Sequence, residues 1–193
     1  MDHVWYGLAW LSFGLGHSVL AARSVKDRLD GLLGRRYRLA YNGWATLHLL
    51  AVWLSGRFLY ADAPPPGLPG WWGTVGAGLL VAGIAVMVLA LREYDRGRLL
   101  GLAQIRAPDL PEDETLRVEG LHRYVRHPLY GGLFLALWGQ AQTEFGLATA
   151  AWASLYLLIG TAFEERRLAA LYGEDYLAYR RRVPAFVPWR GRC

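Results

Sequence analysis

Residues 123–132, RYVRHPLYGG, place basic, aromatic and histidine side chains directly before an apolar stretch. Proline is favoured in the first turn of a helix, where its missing N–H loses no hydrogen bond, so His127-Pro128 predicts a helix start. The free backbone N–H groups at such a start favour anionic groups. With Tyr124 and Tyr130 on either side, the segment suits a ligand that combines a cation, an aromatic ring and a carboxylate. The alternative interpretation is an anchor that holds the helix at the membrane interface.

The run RYVRHPLYGG ends a polar concentration that covers residues 94–132, and a second one covers residues 163–188, FEERRLAALYGEDYLAYRRRVPAFVP. Glu164 and Glu165 lie near the predicted membrane plane, where a carboxylate needs a partner. Gly173 is typical of a residue that ends a helix. The residues after it predict a short helix, which Val183-Pro184 ends. Two tyrosines three positions apart share one face of that helix, Tyr176 and Tyr179.

The elements that must position these segments are five apolar blocks. They cover residues 4–21, 39–60, 71–91, 129–142 and 145–163. Four of them approach the ~20 residues that cross the ~30 Å hydrocarbon core as a helix, and the short fourth block forms a hairpin with the fifth. The first block lacks a basic leader and is expected to be retained rather than cleaved. Of the 193 residues, 54% are apolar or aromatic, which predicts one all-α membrane domain over residues 1–193 with five transmembrane helices.

The basic residues predict the orientation of the bundle. The 21 Lys and Arg residues concentrate in segments 22–38 and 92–128 and in the tail after the fifth block. The positive-inside rule therefore places these segments and the C-terminus in the cytoplasm, with the N-terminus outside, in a bacterial inner membrane. The net charge of +5 follows from this topology, and no motif indicates nucleic-acid binding. The single cysteine, Cys193, excludes an internal disulfide and a cysteine metal cluster, and no metal is expected.

The motifs RHPxYxG, EExxL and YGxxYxxYxxRVPxxxP occur in that order in residues 126–188. Together they resemble the isoprenylcysteine carboxyl methyltransferase-like superfamily of integral-membrane methyltransferases. The segments GHSVLAARSVK, YRLAYN and YDRGRLLGLAQI resemble the branch that contains methanethiol S-methyltransferase and the NnrU- and nurim-type proteins. The resemblance implies a helical membrane fold with S-adenosylmethionine in a cytoplasmic pocket. That pocket would lie between the region before the fourth block and the C-terminal helical segment, and a small or lipophilic methyl acceptor would enter from the bilayer.

The resemblance also assigns residues to roles. Those implied for the cofactor are Gln104, Gly120, Tyr124, Val125, His127, Leu129, Tyr130, Gly131 and Glu164. Arg182 matches the position tied to substrate and catalysis, Glu165 is a further catalytic candidate, and Tyr176 and Tyr179 are substrate candidates. His122 stands where the family usually has tyrosine, so no role is assigned to it.

Methyl transfer from a sulfonium disperses positive charge, so a dry and well-positioned site favours it. A thiol acceptor must first lose its proton, and the charge of Arg182 would lower the thiol pKa. The same arginine would hold the oxyanion of a carboxylate acceptor, so it does not discriminate the two. Polar residues inside the first two blocks either serve function or bond helices together, and these are His17, Ser18, Asn42 and His48. We take His17 as the candidate base for a thiol and Asn42 as a substrate candidate.

The sequence thus predicts an S-adenosylmethionine-dependent membrane methyltransferase with a small thiol such as methanethiol as the preferred acceptor. The alternatives are carboxyl methylation of an isoprenylated cysteine and N-methylation of a phospholipid. A non-catalytic, nurim-like membrane scaffold is the rival from a different class. The oligomeric state is open, since the glycines in GTVGAGLLVAG permit close helix approach either within the chain or between copies.

Overall fold

The computed structural model describes residues 1–95, 97, 100, 102–106 and 115–189. Every regular element in these ranges is helical, which confirms the all-α prediction. The α-helices are α1 Asp2–Ala21, α2 Arg23–Leu33, α3 Tyr37–Leu59, α4 Trp72–Glu93, α5 Leu102–Arg106, α6 Pro128–Gly139, α7 Glu144–Tyr172 and α8 Glu174–Arg182. Two short 3₁₀ turns cover Gly34–Arg36 and Gly120–Arg123. The chain divides into two compact units, of which the first contains α1–α3 and α5 and the second contains α4 and α6–α8.

In the first unit, α1 packs against α3 through aromatic side chains. Tyr6, Trp10 and Phe13 are buried along α1, and successive rings meet edge-on. Tyr60, which follows α3, is also buried and meets the ring of Tyr6 with centroids 5.8 Å apart. Edge-to-face contacts of this kind add to the packing energy of large rings. The first two apolar blocks therefore form helices, as predicted, and the structure shows that these two helices pack against each other.

Three histidines hydrogen-bond to hydroxyl groups in the same unit. The Nδ1 of His3 and the Oη of Tyr60 are 2.6 Å apart, and the Nε2 of His48 and the Oγ of Ser12 are 3.1 Å apart. The Nε2 of His17 bonds to the hydroxyl of Tyr41. Hydrogen bonds between polar side chains hold helices together where water is absent. His17 and His48 thus make the bonds between helices that one of the two interpretations of these residues predicts.

Two helices are long and apolar enough to cross a membrane, judged by length and composition over the described residues. Helix α4 has 22 residues and a mean hydropathy of 2.4, and α7 has 29 residues and a value of 1.5. Helix α6 is apolar but has 12 residues. Helices α1 and α3 have 20 and 23 residues, but their histidines, tyrosines and tryptophans lower the mean hydropathy. Five membrane crossings therefore stay a prediction.

The second unit is built on glycine-mediated contact between α4 and α6. Gly76 faces Gly139 and Gly83 faces Gly132 across the helix pair. A Cβ at Gly83 would lie 2.5 Å from backbone atoms of α6, and one at Gly139 would lie 2.4 Å from a backbone nitrogen of α4. The two backbones are thus in direct contact, as small residues permit in membrane helices. Gly76 and Gly83 of the third apolar block thus serve a contact within the chain.

The local signals for helix ends are confirmed. Pro128 occupies the first turn of α6 after the N-cap residue His127. Helix α7 continues past its apolar part, so that Glu164 and Glu165 lie inside it, and it ends at Gly173 with φ +57°. The N–H of Gly173 donates to the carbonyl of Ala169 at 3.0 Å. Extended backbone after α8 then leads into the motif RVP.

We expect Gly83→Ala to destabilise the chain, because its new methyl group would push the backbone of α6 away. Overpacking of this kind costs about 1–3 kcal/mol. Gly78→Ala in the same helix is the matched control, since a Cβ there meets no atom within 4 Å. Free energies of unfolding in detergent micelles, measured for both variants, check the expectation. Equal stabilities would contradict the proposed backbone contact.

Candidate active site

The two polar segments of the sequence are joined by main-chain hydrogen bonds. The N–H of Arg126 donates to the carbonyl of Pro184 at 2.9 Å, and the N–H of His127 donates to that of Ala185 at 3.0 Å. Both donors precede α6, and both acceptors follow α8. Such backbone pairing leaves these polar groups satisfied where they are buried. The expectation that the two segments meet is therefore confirmed within the second unit.

The guanidinium of Arg126 ties the end of α8 to α7. Its Nε donates to the Oε1 of Glu165 at 2.9 Å, and its Nη2 donates to the same oxygen. Its Nη1 donates to the carbonyls of Val183 and Arg180, the latter at 3.3 Å. Carbonyls at a helix C-terminus lack partners within the helix, so this arginine satisfies them. We call this arrangement the Arg126 clamp.

The clamp also determines the charge of Glu165, which lies beyond the apolar part of α7 at residues 145–163. Burial raises the pKa of Glu165, but the hydrogen bonds and charges of Arg126 and His127 outweigh burial and lower the pKa below its ordinary value. Folding therefore favours the ionised carboxylate, and this contribution to stability is lost as the pH falls below about 4.5. The predicted catalytic candidate Glu165 is thus the acceptor of an internal ion pair.

His127 lies at the centre of the site and is 6% exposed. Its Nε2 is 3.2 Å from the Oε1 of Glu165, and its Nδ1 is 3.8 Å from the Oε2 of Glu164. The imidazole stacks on the ring of Tyr130 with an interplanar angle of 4°, and the ring of Phe186 approaches at 5.9 Å. These contacts fix the ring orientation of a buried titratable group at a helix N-terminus.

Two buried polar atoms of this region have no hydrogen bond of normal geometry within the described part of the chain. They are the Oε2 of Glu164 and the hydroxyl oxygen of Tyr176. Burial and the negative charge of Glu165 raise the pKa of Tyr176 to about 12, so its hydroxyl keeps its proton. A buried polar atom without a partner costs about 1–3 kcal/mol, and such atoms point to a ligand that supplies the partner.

A second polar contact lies at the 3₁₀ turn Gly120–Arg123. We call it the cofactor turn, because the family resemblance implies a cofactor contact at Gly120. Glu93, the last residue of α4, accepts from the N–H of Leu121 at 2.9 Å and bonds to the Nδ1 of His122 at 3.0 Å. The hydroxyl of Tyr179 donates to the carbonyl of His122 at 2.7 Å. Glu93 is not among the predicted site residues, because it directly precedes the predicted polar segment 94–132. A carboxylate that ends a long apolar helix was the signal available.

The cofactor turn borders a cavity of about 590 Å³, which is within the usual range for small-molecule sites. Glu93, His122 and residues 115–120 line it. Gly120 has φ +57°, and a Cβ at this position would lie 2.1 Å from the Oε1 of Glu93. A glycine is therefore required here both for backbone conformation and for space.

The remaining predicted residues are placed as follows. Val125 is buried, Tyr124 is 39% exposed, and Leu129, Tyr130 and Gly131 lie in the first turn of α6. Tyr176 and Tyr179 are buried in a cluster with Val183. Arg182 ends α8 with an exposed side chain, and it makes no ion pair with any residue that the structure describes. His17 and Asn42 belong to the first unit, and the side chain of Gln104 lies outside the described residues.

Gly120→Ala is expected to destabilise the chain more in the wild-type background than in a Glu93→Ala background. The variant methyl group displaces the Glu93 carboxylate, and that cost disappears once the carboxylate is absent. The coupling energy should be about 1–3 kcal/mol in unfolding free energy. Gly173→Ala is the control, because this glycine also has φ +57° but has no atom within 4 Å of its Cβ position. It should cost the same in both backgrounds, and equal costs for Gly120→Ala would contradict the contact.

Comparison with known proteins identifies relatives over most of the chain. No protein-family model matches it, and no solved structure does. The methanethiol S-methyltransferase of Mycobacterium tuberculosis is 41% identical over 189 residues, which cover 93% of this chain and 75% of the relative. Methanethiol S-methyltransferase 1 of Bradyrhizobium diazoefficiens is 29% identical over 186 residues, 92% of this chain and 64% of the relative, so this chain spans less than two thirds of that protein's length.

A more distant relative is the protein-S-isoprenylcysteine O-methyltransferase of Schizosaccharomyces pombe. It is 29% identical over 116 residues, which cover 54% of this chain and 48% of the relative. The two kinds of relative agree with the resemblance carried by the RHP and RVP motifs. The chain therefore belongs to the methanethiol S-methyltransferase family, within the isoprenylcysteine carboxyl methyltransferase-like superfamily.

Proposed function

We propose that this chain is an S-adenosylmethionine-dependent membrane methyltransferase whose preferred acceptor is a small thiol such as methanethiol. The observation that carries the proposal is the cluster of His127, Glu164 and Tyr176, in which two buried polar atoms have no hydrogen-bond partner among the described residues. This group lies in a chain that is 41% identical to a methanethiol S-methyltransferase. The names of the relatives support a thiol as the acceptor.

The proposal includes one membrane domain of five spans, with the N-terminus outside and the candidate site and C-terminus in the cytoplasm of a bacterium. Exposed apolar side chains at helical spacing support spans beyond α4 and α7, because such stripes need an apolar environment. On α1 they are Leu8, Leu11, Leu15 and Val19. On α3 they are Leu47, Leu50, Leu54 and Phe58. Lipid contact would account for both stripes.

The residues present fit S-adenosylmethionine. The carboxylate oxygen of Glu164 can accept from an ammonium or a ribose hydroxyl, and the hydroxyl of Tyr176 can donate to a carboxylate. Tyrosine faces tolerate a cation, and Tyr124 presents one that is partly exposed. The residues that would hold the cofactor are Gln104, Gly120, Tyr124, Val125, His127, Leu129, Tyr130, Gly131 and Glu164. The cofactor supplies, when bound, an activated methyl group on a sulfonium.

The chain's own residues would then orient the reactants and balance the charges around them. The Arg126 clamp compensates the carboxylate of Glu165 inside the protein, so this carboxylate would add no uncompensated charge to the site. This suits a reaction in which positive charge disperses. Arg182 supplies an exposed cation that would lower the pKa of an acceptor thiol. His17, whose ring bonds to Tyr41, stays our candidate for the base that takes the thiol proton.

Two acceptors within the class remain to be distinguished by experiment. A carboxylate acceptor would use Arg182 to hold its oxyanion, as the name of the fission-yeast relative suggests for an isoprenylated cysteine. A phospholipid amine has no negative charge for the arginine to hold, but its ammonium group must also lose a proton before the nitrogen accepts a methyl group. A membrane scaffold, the rival from another class, would need no cofactor at all.

Isothermal titration of the detergent-solubilised chain with S-adenosylmethionine tests the proposal. We expect binding by the wild type and roughly tenfold weaker binding by Glu164→Gln, since a hydrogen bond to a charged group contributes about 1.5–3 kcal/mol. Glu174→Gln, which changes an exposed carboxylate paired with Arg181, should leave the affinity unchanged. Labelled cofactor offered with methanethiol, a prenylcysteine analogue and phosphatidylethanolamine then identifies the acceptor. A wild-type chain that binds no cofactor would be a scaffold.

Two neighbouring arginines test the role of charge at the acceptor. Arg182→Ala should move the pH midpoint of thiol methylation upward by about one pH unit, because the acceptor thiolate loses a nearby cation and one pKa unit corresponds to about 1.4 kcal/mol. Arg181→Ala should leave the profile unchanged, since Arg181 is paired with Glu174 on the surface. The measurement is kcat/KM for the thiol against pH. Identical profiles for the two variants would exclude Arg182 from the acceptor site.

A further inference from the structure

Glu93 connects α4 to the cofactor turn through both of its carboxylate oxygens. One oxygen accepts the main-chain N–H of Leu121 at 2.9 Å, and the other lies 3.0 Å from the Nδ1 of His122. His122 is 7% exposed. Glu93 therefore restrains the backbone of the turn and one of its side chains at the same time. None of the motifs that carry the family resemblance includes this residue.

The opposite side of the turn is held by α8. Tyr179, which is 5% exposed, donates its hydroxyl hydrogen to the carbonyl of His122 at 2.7 Å. Directly after the turn, Arg126 and His127 are bonded to residues 184 and 185. Residues 120–127 are thus tied to α4 at one end and to the C-terminal segment at the other. Glu93 bonds α4 to the side chain of His122.

The position of Gly120 depends on the same carboxylate. The Oε1 of Glu93 occupies the space beside the Cα of Gly120, and both residues line the 590 Å³ cavity. A shift of the carboxylate would change the shape of the cavity wall and the path of the backbone towards Tyr124. Groups that bind a ligand act well only when neighbouring residues lock their geometry.

We infer that Glu93, paired with His122, is a positioning residue for cofactor binding, which holds the cofactor turn in the shape that presents Gly120 and Tyr124. The inference rests on the proposed function, because it names how one wall of that same site is held. Glu93 acts through Leu121 and His122 and need not touch the cofactor.

The charges around the pair are consistent with a neutral imidazole that donates from Nδ1. Burial lowers the pKa of His122, Glu93 opposes this change, and Arg117 and His127 add to it. The hydroxyl of Tyr179 faces the backbone of His122 rather than its ring. A lowered pKa in the folded state means that the stabilisation is present above pH 6.5 and is lost as the pH falls through the lowered value. Unfolding measured from pH 7.5 to 5 should therefore show a loss of stability that His122→Asn reduces.

The test compares Glu93→Ala, His122→Ala and His122→Asn. The asparagine amide can donate from nearly the position of Nδ1, so this variant should restore what the alanine removes. We expect KM and Kd for S-adenosylmethionine to rise about tenfold in both alanine variants, because each variant loses one charge-assisted hydrogen bond. At saturating cofactor, kcat should stay within about twofold of the wild-type value. His122→Asn should stay within about threefold of wild type in Kd. Glu174→Gln is the surface control.

Hydrogen exchange without cofactor provides a readout that is independent of activity. Amide exchange in residues 120–127 should rise in Glu93→Ala, while exchange in α1 and α3 should not. Should Glu93→Ala fail to accumulate, Glu93→Gln keeps an acceptor for Leu121 and removes the charged acceptor for His122. Glu93→Gln should also raise KM while leaving kcat nearly unchanged, with a smaller rise than in Glu93→Ala.

The outcomes separate the two hypotheses. A wild-type chain that binds no S-adenosylmethionine overturns the proposed function and this inference with it. Wild-type binding with an unchanged Kd in Glu93→Ala overturns the inference alone. A fall in kcat with unchanged KM, together with faster exchange throughout the second unit, would assign Glu93 to general stability and would also overturn the inference.

Discussion

The candidate site depends on the ion pair between Arg126 and Glu165. One guanidinium neutralises a carboxylate inside α7 and also satisfies carbonyl groups at the end of α8. Removing either partner would leave an uncompensated charge in a partly buried place, which costs several kcal/mol. Because Glu165 also bonds to His127, the same pair orients the imidazole at the centre of the site. Structure and charge balance are therefore provided by one contact.

Two kinds of interaction, van der Waals packing and hydrogen bonds, hold the second unit together. Glycines bring the backbones of α4 and α6 into contact by van der Waals packing, as expected where apolar surroundings remove the hydrophobic driving force. The register pairs Gly83 with Gly132 and Gly76 with Gly139, so α4 continues past the start of α6 and its last residue lies beside residues 121 and 122. Hydrogen bonds then act at that end, where Glu93 meets the cofactor turn and His127 begins α6. The apolar contact thus determines which polar groups can meet.

The features that the sequence predicts correctly depend on neighbours in the chain. Pro128 begins α6 because proline loses nothing in a first turn, and Gly173 ends α7 because glycine tolerates a positive φ. The meeting of the two polar segments also follows, since a helical hairpin returns the chain to the side from which it left. The hydrogen-bond partners of individual side chains cannot be predicted from the sequence in this way. The bonds of the Arg126 guanidinium to Glu165 and of Glu93 to residue 121 join positions far apart in the chain, so no local pattern predicts them.

The sequence by itself determined the helical class, the ends of the main helices and the family, because periodicity, caps and short motifs are local properties of the chain. Tertiary structure decided that Glu165 and Tyr179 hold other protein groups and that His122 pairs with Glu93. It also left one buried polar atom each on Glu164 and Tyr176 without a hydrogen bond in the described residues. The physical reason is that a hydrogen bond or ion pair requires atoms within about 3 Å. For residues 28 to 57 positions apart, only the packing of helices sets that distance.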